Sequence, residues 1–270
     1  MKRAWFMLTV AAVALWSLGP FLWQVVTSLK PDVELARLPP LLPVHPTFGH
    51  YRAVLASTAF PRIIANSAIV SSCATLLSLV IGSLAAFGLA KLRVMYKGLI
   101  LLFVLFASMF PPIATVSPLY LIIRALGLRD TWWALIVTYT NFSLPLSVWI
   151  MTNFFRQVPD ELYRAAWMDG CGPFQAFTRV MLPLAAPGVV ATAILVFIFS
   201  WNEFLFALTF TATERSRTIP VAIALFPGLH EVPWGDIAAA SVMVTIPLVL
   251  LVFVFQRWII EGLTAGAVKG

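Results

Sequence analysis

The chain has 270 residues, of which 61% are hydrophobic and 11% charged, with a formal net charge of +7. A soluble domain carries about 25% charged residues, so this chain cannot clothe a globule in a water-compatible surface, which excludes a soluble enzyme, a disordered regulator and a disulfide scaffold. A mean hydropathy of +0.94 points to an integral membrane protein, whose basic loops mark the cytoplasmic side rather than a nucleic-acid surface.

A helix needs about 20 apolar residues to cross the hydrocarbon core. Between its charges the sequence offers six such stretches, at about 5–29, 63–90, 98–123, 131–155, 182–211 and 237–257. Barrel strands are about ten residues long and alternate, so they are excluded. The expectation is an all-α integral membrane fold of six helices in a single domain covering 1–270. Lys2 and Arg3 before the first stretch give it the look of a signal peptide, but its apolar run is too long and ends without a small-x-small cleavage site. It reads as a retained helix. Six spans put both ends of the chain on one side. Ten Lys and Arg fall on that side against eight on the other, and Lys91, Arg93 and Lys97 crowd one short loop. Both ends are therefore expected to be cytoplasmic.

The Pro-rich segment 30–61 is read as an outer loop that sets the approach to the second span. His45 and His50 lie in it, five apart with no Cys and few carboxylates, a poor metal site. Cys73 and Cys171 are expected as free thiols. Pro111-Pro112 marks a break or kink in the third stretch, and Gly82 and Gly88 allow close packing. Segment 212–236 is too long for a simple connection. Arg215, Arg217, Phe226 and Trp234 make it a candidate docking surface, with a solvated hairpin as the bland alternative.

The inner segment 156–179 differs from every other connection. Pro159, Asp160 and Glu161 start a helix, with acids in the first turn favoured by the macrodipole. Ala165, Ala166, Trp167 and Met168 continue it, and Gly170, Gly172 and Pro173 stop it. The spacing predicts a short helix and turn at the membrane surface, shaped to fit a groove in a partner.

That segment reads Glu161-Leu-Tyr-Arg-Ala-Ala-Trp-Met-Asp-Gly170, and ten residues after Gly170 comes Val180-Met181-Leu182-Pro183. It resembles the EAA motif of permease subunits of binding-protein-dependent ABC importers. The chain end, Gly262-Leu-Thr-Ala-Gly-Ala-Val-Lys-Gly270, is similar to that of MalG-type permeases of carbohydrate importers, as is Trp201-Asn202-Glu203-Phe204. The resemblance covers essentially the whole chain and implies the type I, maltose-permease-like fold. It implies a coupling helix seated in an ATP-hydrolysing subunit through Glu161, Arg164, Ala165, Ala166, Asp169, Gly170, Leu182 and Pro183. The implied partners are a homologous second permease, two ATP-binding subunits and an extracytoplasmic sugar-binding protein, in a bacterial or archaeal cytoplasmic membrane. The family usually carries Glu where Arg164 stands. Either the partner offers an acid to Arg164, or Glu161 takes the role. No G-x-x-x-x-G-K-[ST] loop occurs in the chain, so ATP and Mg are expected on a partner, with no cofactor or metal in this chain and no catalysis by it.

Ionisable residues inside a span are costly and are functional candidates. Glu203, beside Asn202, is either part of a substrate path or a hydrogen-bonded structural carboxylate. Tyr139, Thr140, Asn141 and Ser143 precede Pro145, where they either line a path or patch the carbonyl that the proline frees. Tyr139, Asn141, Asn202 and Glu203 are thus the path candidates, while Asn66 and Ser67 are read as glue between helices. A stand-alone ion-coupled carrier would show inverted repeats and several intramembrane acids. An intramembrane enzyme would want a Ser, His or acid constellation in the spans, yet His45, His50 and His230 all fall in expected outer loops. The resemblance implies import of a di- or oligosaccharide or small glycoside as the function, with glycerol phosphate or a polyol the other cargoes of the same family.

Overall fold

The computed structural model describes residues 2–35, 41–57, 59–226 and 232–264, and all regular structure among them is helical. Pro39, Pro40, Pro227, His230, Glu231 and the chain end from residue 265 lie outside the described residues.

Among the described residues four helices are long and apolar enough to cross a membrane unbroken, and two bent pairs bring the number to six if each pair is one span. The unbroken helices are α1 (Lys2–Ser28), α4 (Ala59–Lys91), α7 (Trp132–Gln157) and α14 (Trp234–Thr264). The shorter α2 (Asp32–Leu35) and α3 (Gly49–Ala56) occupy the first expected outer loop. The third stretch is α5 (Lys97–Ser108) and α6 (Pro112–Ala125), bent by 90°. Pro111 is extended (φ −65°, ψ 126°) and Pro112 opens α6. Two adjacent residues without N–H groups cannot continue the helical ladder, so the break falls where the double proline predicts it.

The fifth stretch divides differently from its apolar run. The short surface helix α8 (Asp160–Met168) is followed by α9 (Pro173–Ala176), a π-helical turn over Phe177–Met181, and α10 (Leu182–Leu184). Only then, after an 80° bend, does α11 (Ala186–Asn202) enter the bundle, with α12 (Leu205–Phe210) beyond a break at Glu203 and Phe204. Leu182 and Pro183 therefore stand on the near side of the bend, in the arm that joins the surface helix to α11. Pro183 and Pro187 lack donors one turn apart, so the ladder fails on either side of buried Ala185. The wide turn before Pro183 makes room for its ring. A hydropathy count sees only apolar residues here and cannot place the bend.

Helices α4 and α7 form the centre of the bundle, with α11 packed on both and α14 on α11. Small residues let these backbones approach. At Gly82 a Cβ would stand 2.7 Å from Ser147 Cβ, and at Gly188 one would meet the Phe154 ring at 2.4 Å. Helix α1 lies along α14 with most of its length exposed. Helix α4 has 33 residues, about 50 Å of helix against about 30 Å of hydrocarbon, so it projects beyond the bilayer.

Substituting Gly82 by Leu is expected to cost about 1–3 kcal/mol through overpacking. A thermal-unfolding scan of the detergent-solubilised protein checks this. Gly88→Ala, where nothing lies within 4 Å of the added carbon, leaves the transition unmoved or slightly raised.

Candidate functional site: a coupling surface and a pinned outer loop

At one end of the bundle the surface segment forms a self-contained platform. Pro159 precedes α8 and its acids Asp160 and Glu161 occupy the first turn, where unsatisfied N–H groups favour negative charge. The helix ends at Asp169 and Gly170, and Gly170 takes φ +82°, a conformation with a steric cost for any side chain. The amides of Asp169, Gly170 and Cys171 close the turn onto the carbonyls of Ala165, Trp167 and Ala166. Gln175 accepts a hydrogen bond from the Gly172 amide and fixes the entry to α9.

The inward face of this platform is aromatic. Phe87 of α4 meets Tyr163 at 5.8 Å and Phe177 at 5.3 Å between ring centroids, and Phe155 of α7 meets Phe177 at 6.1 Å. Met151, Met181, Val158 and Ala185 complete the cluster. The outward face is apolar but uncovered: Leu162, Trp167, Met168 and Phe174 are exposed, with Met168 at 88%. Glu161, Arg164, Ala165, Asp169 and Gly170 share that exposed surface, whereas Ala166 is buried against the bundle. An added carbon at Gly170 meets nothing within 4 Å. Leu182 and Pro183 stand apart, at the far end of the segment. A cleft of about 290 Å³ opens between Leu162, Pro159, Phe154, Gln157, Leu184 and Pro187.

Lys91, the last residue of α4, joins the bundle to this platform. Its Nζ donates to the Val158 carbonyl at 2.6 Å and to Asp160 Oδ1 at 2.5 Å. The Lys91 bond and charge, helped by Arg164 and Lys97, hold the Asp160 carboxyl below its ordinary range despite a small opposing desolvation. The sequence marks Lys91 only as one of several basic residues near the membrane. Its partners lie 67 and 69 positions away, and no local pattern announces them.

At the opposite end, the loop after α12 is pinned by four side chains. Asn66 Nδ2 donates to the carbonyls of Glu214 and Arg217 at 3.0 and 2.9 Å, while Trp132 Nε1 donates to Asn66 Oδ1 at 3.1 Å. Ser67 Oγ accepts from the Ile219 amide at 2.8 Å, at the start of α13 (Ile219–Ala224). Asn66 and Ser67 thus hold a loop to the bundle. Asp130, with φ +59°, accepts from the Ala212 and Thr213 amides and from the hydroxyls of Thr213 and Ser216. Partial burial pushes its carboxyl up. The hydrogen bonds from Ser216, Ala212 and Thr213 outweigh that and hold it well below the usual carboxylate range.

Of the docking candidates, Arg217 and Phe226 line one cavity of about 270 Å³ together with Glu214, Asp236 and Phe60. Arg217 also donates from Nη2 to the Ala212 carbonyl at 3.1 Å. Arg215 and Trp234 are exposed. His50 is buried beside the same cavity. Its Nδ1 stands 2.7 Å from Asp236 Oδ1 and its Nε2 2.9 Å from the Lys30 carbonyl. These contacts tie α3 to the ends of α1 and α14, and Gly235 supplies room for the ring. Among the described residues no cluster of three metal-ligating side chains occurs. Cys73 and Cys171 are free.

Within the spans, Glu203 turns back on its own chain. Its carboxylate accepts from the Phe206 and Ala207 amides at 3.0 and 3.1 Å and so caps α12 across the break. Tyr139 is fully buried, its hydroxyl within electrostatic reach of Glu203 but outside hydrogen-bond geometry. The hydroxyls of Thr140 and Ser143 are buried without a partner and do not patch the carbonyl freed by Pro145. Asn141 and Asn202 are both exposed, and Asn202 donates to the Ile198 carbonyl at 2.8 Å. The structure therefore brings Tyr139 and Glu203 together and leaves the two asparagines on the outside of the subunit.

A helical membrane protein with broken spans and an uncovered apolar platform at one end is the class that this geometry defines. Residues 78–264 match the family of binding-protein-dependent transport system inner membrane components, and the chain belongs to that family. It is 44% identical over 268 residues to the trehalose transport system permease protein SugB of Mycobacterium tuberculosis, covering 98% of this chain and 97% of that one. The trehalose/maltose transport system permease protein MalG of Thermococcus litoralis is 43% identical, with 100% of this chain and 98% of that one covered. A permease protein of a sulfoquinovosyl glycerol transport system from Agrobacterium fabrum is 39% identical over 94% of this chain and 89% of its own length. In fold, the chain matches a bacterial ABC transporter involved in alginate import with a TM-score of 0.81 at 22% identity, over 95% of this chain and 96% of that one.

Asp130→Ala should release the loop that follows α12. Hydrogen exchange at the 212–219 amides is expected to quicken roughly tenfold or more, the equivalent of one charge-assisted hydrogen bond of about 1.5–3 kcal/mol. Because the folded carboxyl is held low, the wild-type protection is fully present above the ordinary carboxylate range. It fades only as the pH falls below that range toward the depressed value. Unchanged exchange in the variant at neutral pH would contradict this.

Proposed function

We propose that this chain is the non-catalytic transmembrane permease of an ATP-driven importer for a disaccharide or small glycoside. In this reading it forms half of a translocation pathway with a homologous second permease. The observation that carries the reading is the platform: Trp167, Met168, Phe174 and Leu162 exposed around a left-handed Gly170 with open space beside it. Large apolar side chains displayed at the polar end of a membrane protein gain by entering a partner's groove. The partner is one of two ATP-binding subunits, which bind ATP and Mg and hydrolyse the nucleotide, and this chain holds no cofactor. Glu161, Ala165, Asp169 and Gly170 belong to the seated surface, with Leu182 and Pro183 setting how it leaves the bundle. Arg164 meets an acid of the partner, or Glu161 takes the ionic role instead.

The platform then lies in the cytoplasm, and both ends of the chain share that side of a bacterial or archaeal cytoplasmic membrane. An extracytoplasmic sugar-binding protein docks on the opposite face, where Arg215 and Trp234 are exposed and Arg217 and Phe226 share a cavity. An exposed asparagine facing lipid would be costly, so Asn141 and Asn202 are assigned to the face toward the pathway and the second permease. Tyr139 and Glu203 stiffen the broken span behind them. Closure of the ATPase pair moves the platform, and the bundle alternates between outward and inward states that nucleotide and binding protein stabilise differently. Relatives named for trehalose, maltose and sulfoquinovosyl glycerol support a two-ring or glycoside-sized cargo.

The test is uptake of labelled trehalose and maltose into vesicles holding the complete transporter. Uptake should require ATP and the binding protein. Gly170→Leu, which strains the turn by roughly 1–2 kcal/mol and fills the open space, should abolish uptake while membrane insertion stays normal. Undiminished uptake in this variant, or uptake without ATP, overturns the reading.

A further inference from the structure

The joint between α7 and the coupling helix α8 is two residues long. Val158 and Pro159 are both extended, with φ −68°, ψ 125° and φ −54°, ψ 138°. Pro159 has no N–H, so the helical ladder is cut there; its ring fixes its own φ and holds Val158 extended, but no helical hydrogen bond carries α7 across into α8. A platform pushed by a partner could swing about this joint and leave the spans at rest.

Lys91 stands at that joint. Its side chain is 3% exposed, and it donates to the carbonyl of Val158 and to the first-turn carboxylate of Asp160. One acceptor lies on the joint itself and the other on α8, while Lys91 ends the helix at the centre of the bundle. The surrounding rings of Phe87, Phe155, Tyr163 and Phe177 pack edge-on and tilted, contacts that hold area but tolerate sliding. The two bonds to the ammonium are directional. Swinging α8 away would take both acceptors from an ammonium whose side chain is 3% exposed, a cost added to that of turning the joint's own torsions.

We propose that Lys91 is a positioning residue that locks the α7–α8 joint, so that displacement of the coupling segment is delivered to α4 instead of being absorbed at Val158 and Pro159. The proposal rests on the importer reading above and adds the link through which that reading transmits force. Lys91 touches neither substrate nor nucleotide.

The experiment uses the complete transporter in lipid vesicles and reads two quantities together: ATP hydrolysed in the presence of sugar-loaded binding protein, and sugar delivered per ATP. Lys91→Met keeps the length and packing of the side chain but donates nothing. It should remain assembled and hydrolyse ATP, while sugar moved per ATP falls at least about fivefold, the low end of coupling between two sites. Lys91→Arg should restore most of that ratio, and Asp160→Asn, which leaves the Val158 bond, should give an intermediate loss. If Lys91→Met is not recovered from the membrane, Asp160→Asn decides on the same two readouts, since its carboxylate is 64% exposed and its loss does not threaten folding. An unchanged ratio of sugar to ATP overturns the proposal, even where both rates fall in parallel. Failure of the importer reading has a different signature, because the wild-type complex would then show no ATP-dependent uptake.

Discussion

Hydrocarbon offers the backbone no hydrogen bonds, and this constraint decides which parts of the chain are regular and which are allowed to break. Helices satisfy their own N–H and C=O groups, so α1, α4, α7 and α14 cross without interruption. Breaks occur only where prolines have already removed donors, at Pro111-Pro112 and around Pro183 and Pro187, or where a side chain replaces the lost partner. Glu203 is the second case. Its carboxylate takes the first amides of α12, so an acid that would be costly in lipid becomes the cap of a half-helix. Read as an isolated charge the same residue looks like a pathway group, and its two amide partners give it a structural role.

Polar side chains at the two ends of the bundle perform similar work on different scales. At the end with the pinned loop, Asn66, Ser67 and Asp130 hold an irregular loop through its main-chain groups, and Trp132 fixes the Asn66 amide. The loop backbone is therefore set by the spans beneath it, and Arg215 stands on it in solvent. At the other end, one ammonium and four aromatic rings hold a whole helix. The rings pack against one another there, while Lys91 adds two directional hydrogen bonds.

These two arrangements suit the parts expected of them. A surface that meets a soluble binding protein benefits from a firm backbone with free side chains, because ordering a loop on contact would weaken binding. A surface that must hand on mechanical displacement benefits from a stiff connection to the bundle and an apolar face for the partner. Met168 is exposed and Ala166 buried on the same short helix, while Trp167 stands beside the inward Tyr163 with ring centroids 5.9 Å apart.

Much of this was legible in the amino-acid order. Six apolar stretches, the break at Pro111-Pro112, the start of the surface helix after Pro159 and its end at Gly170 follow from local chemistry. Each depends only on neighbours within a turn or on the solvent the segment must enter. The resemblance of 161–183 to importer permeases belongs to the same level, since a motif is a local pattern. What the sequence left open involves partners far apart along the chain. The packing of Phe177, Met181 and Ala185 in one buried cluster with Phe87 and Phe155 joins residues far apart in the chain. The attachment of Asn66 to a loop 148 and 151 residues later, and of Lys91 to Val158, depends on helices brought side by side. Periodicity and composition report how a residue meets solvent, so the sequence determined the apolar stretches and the helical class of the fold. Which groups meet across them is a property of packed helices, and only the tertiary structure decided it.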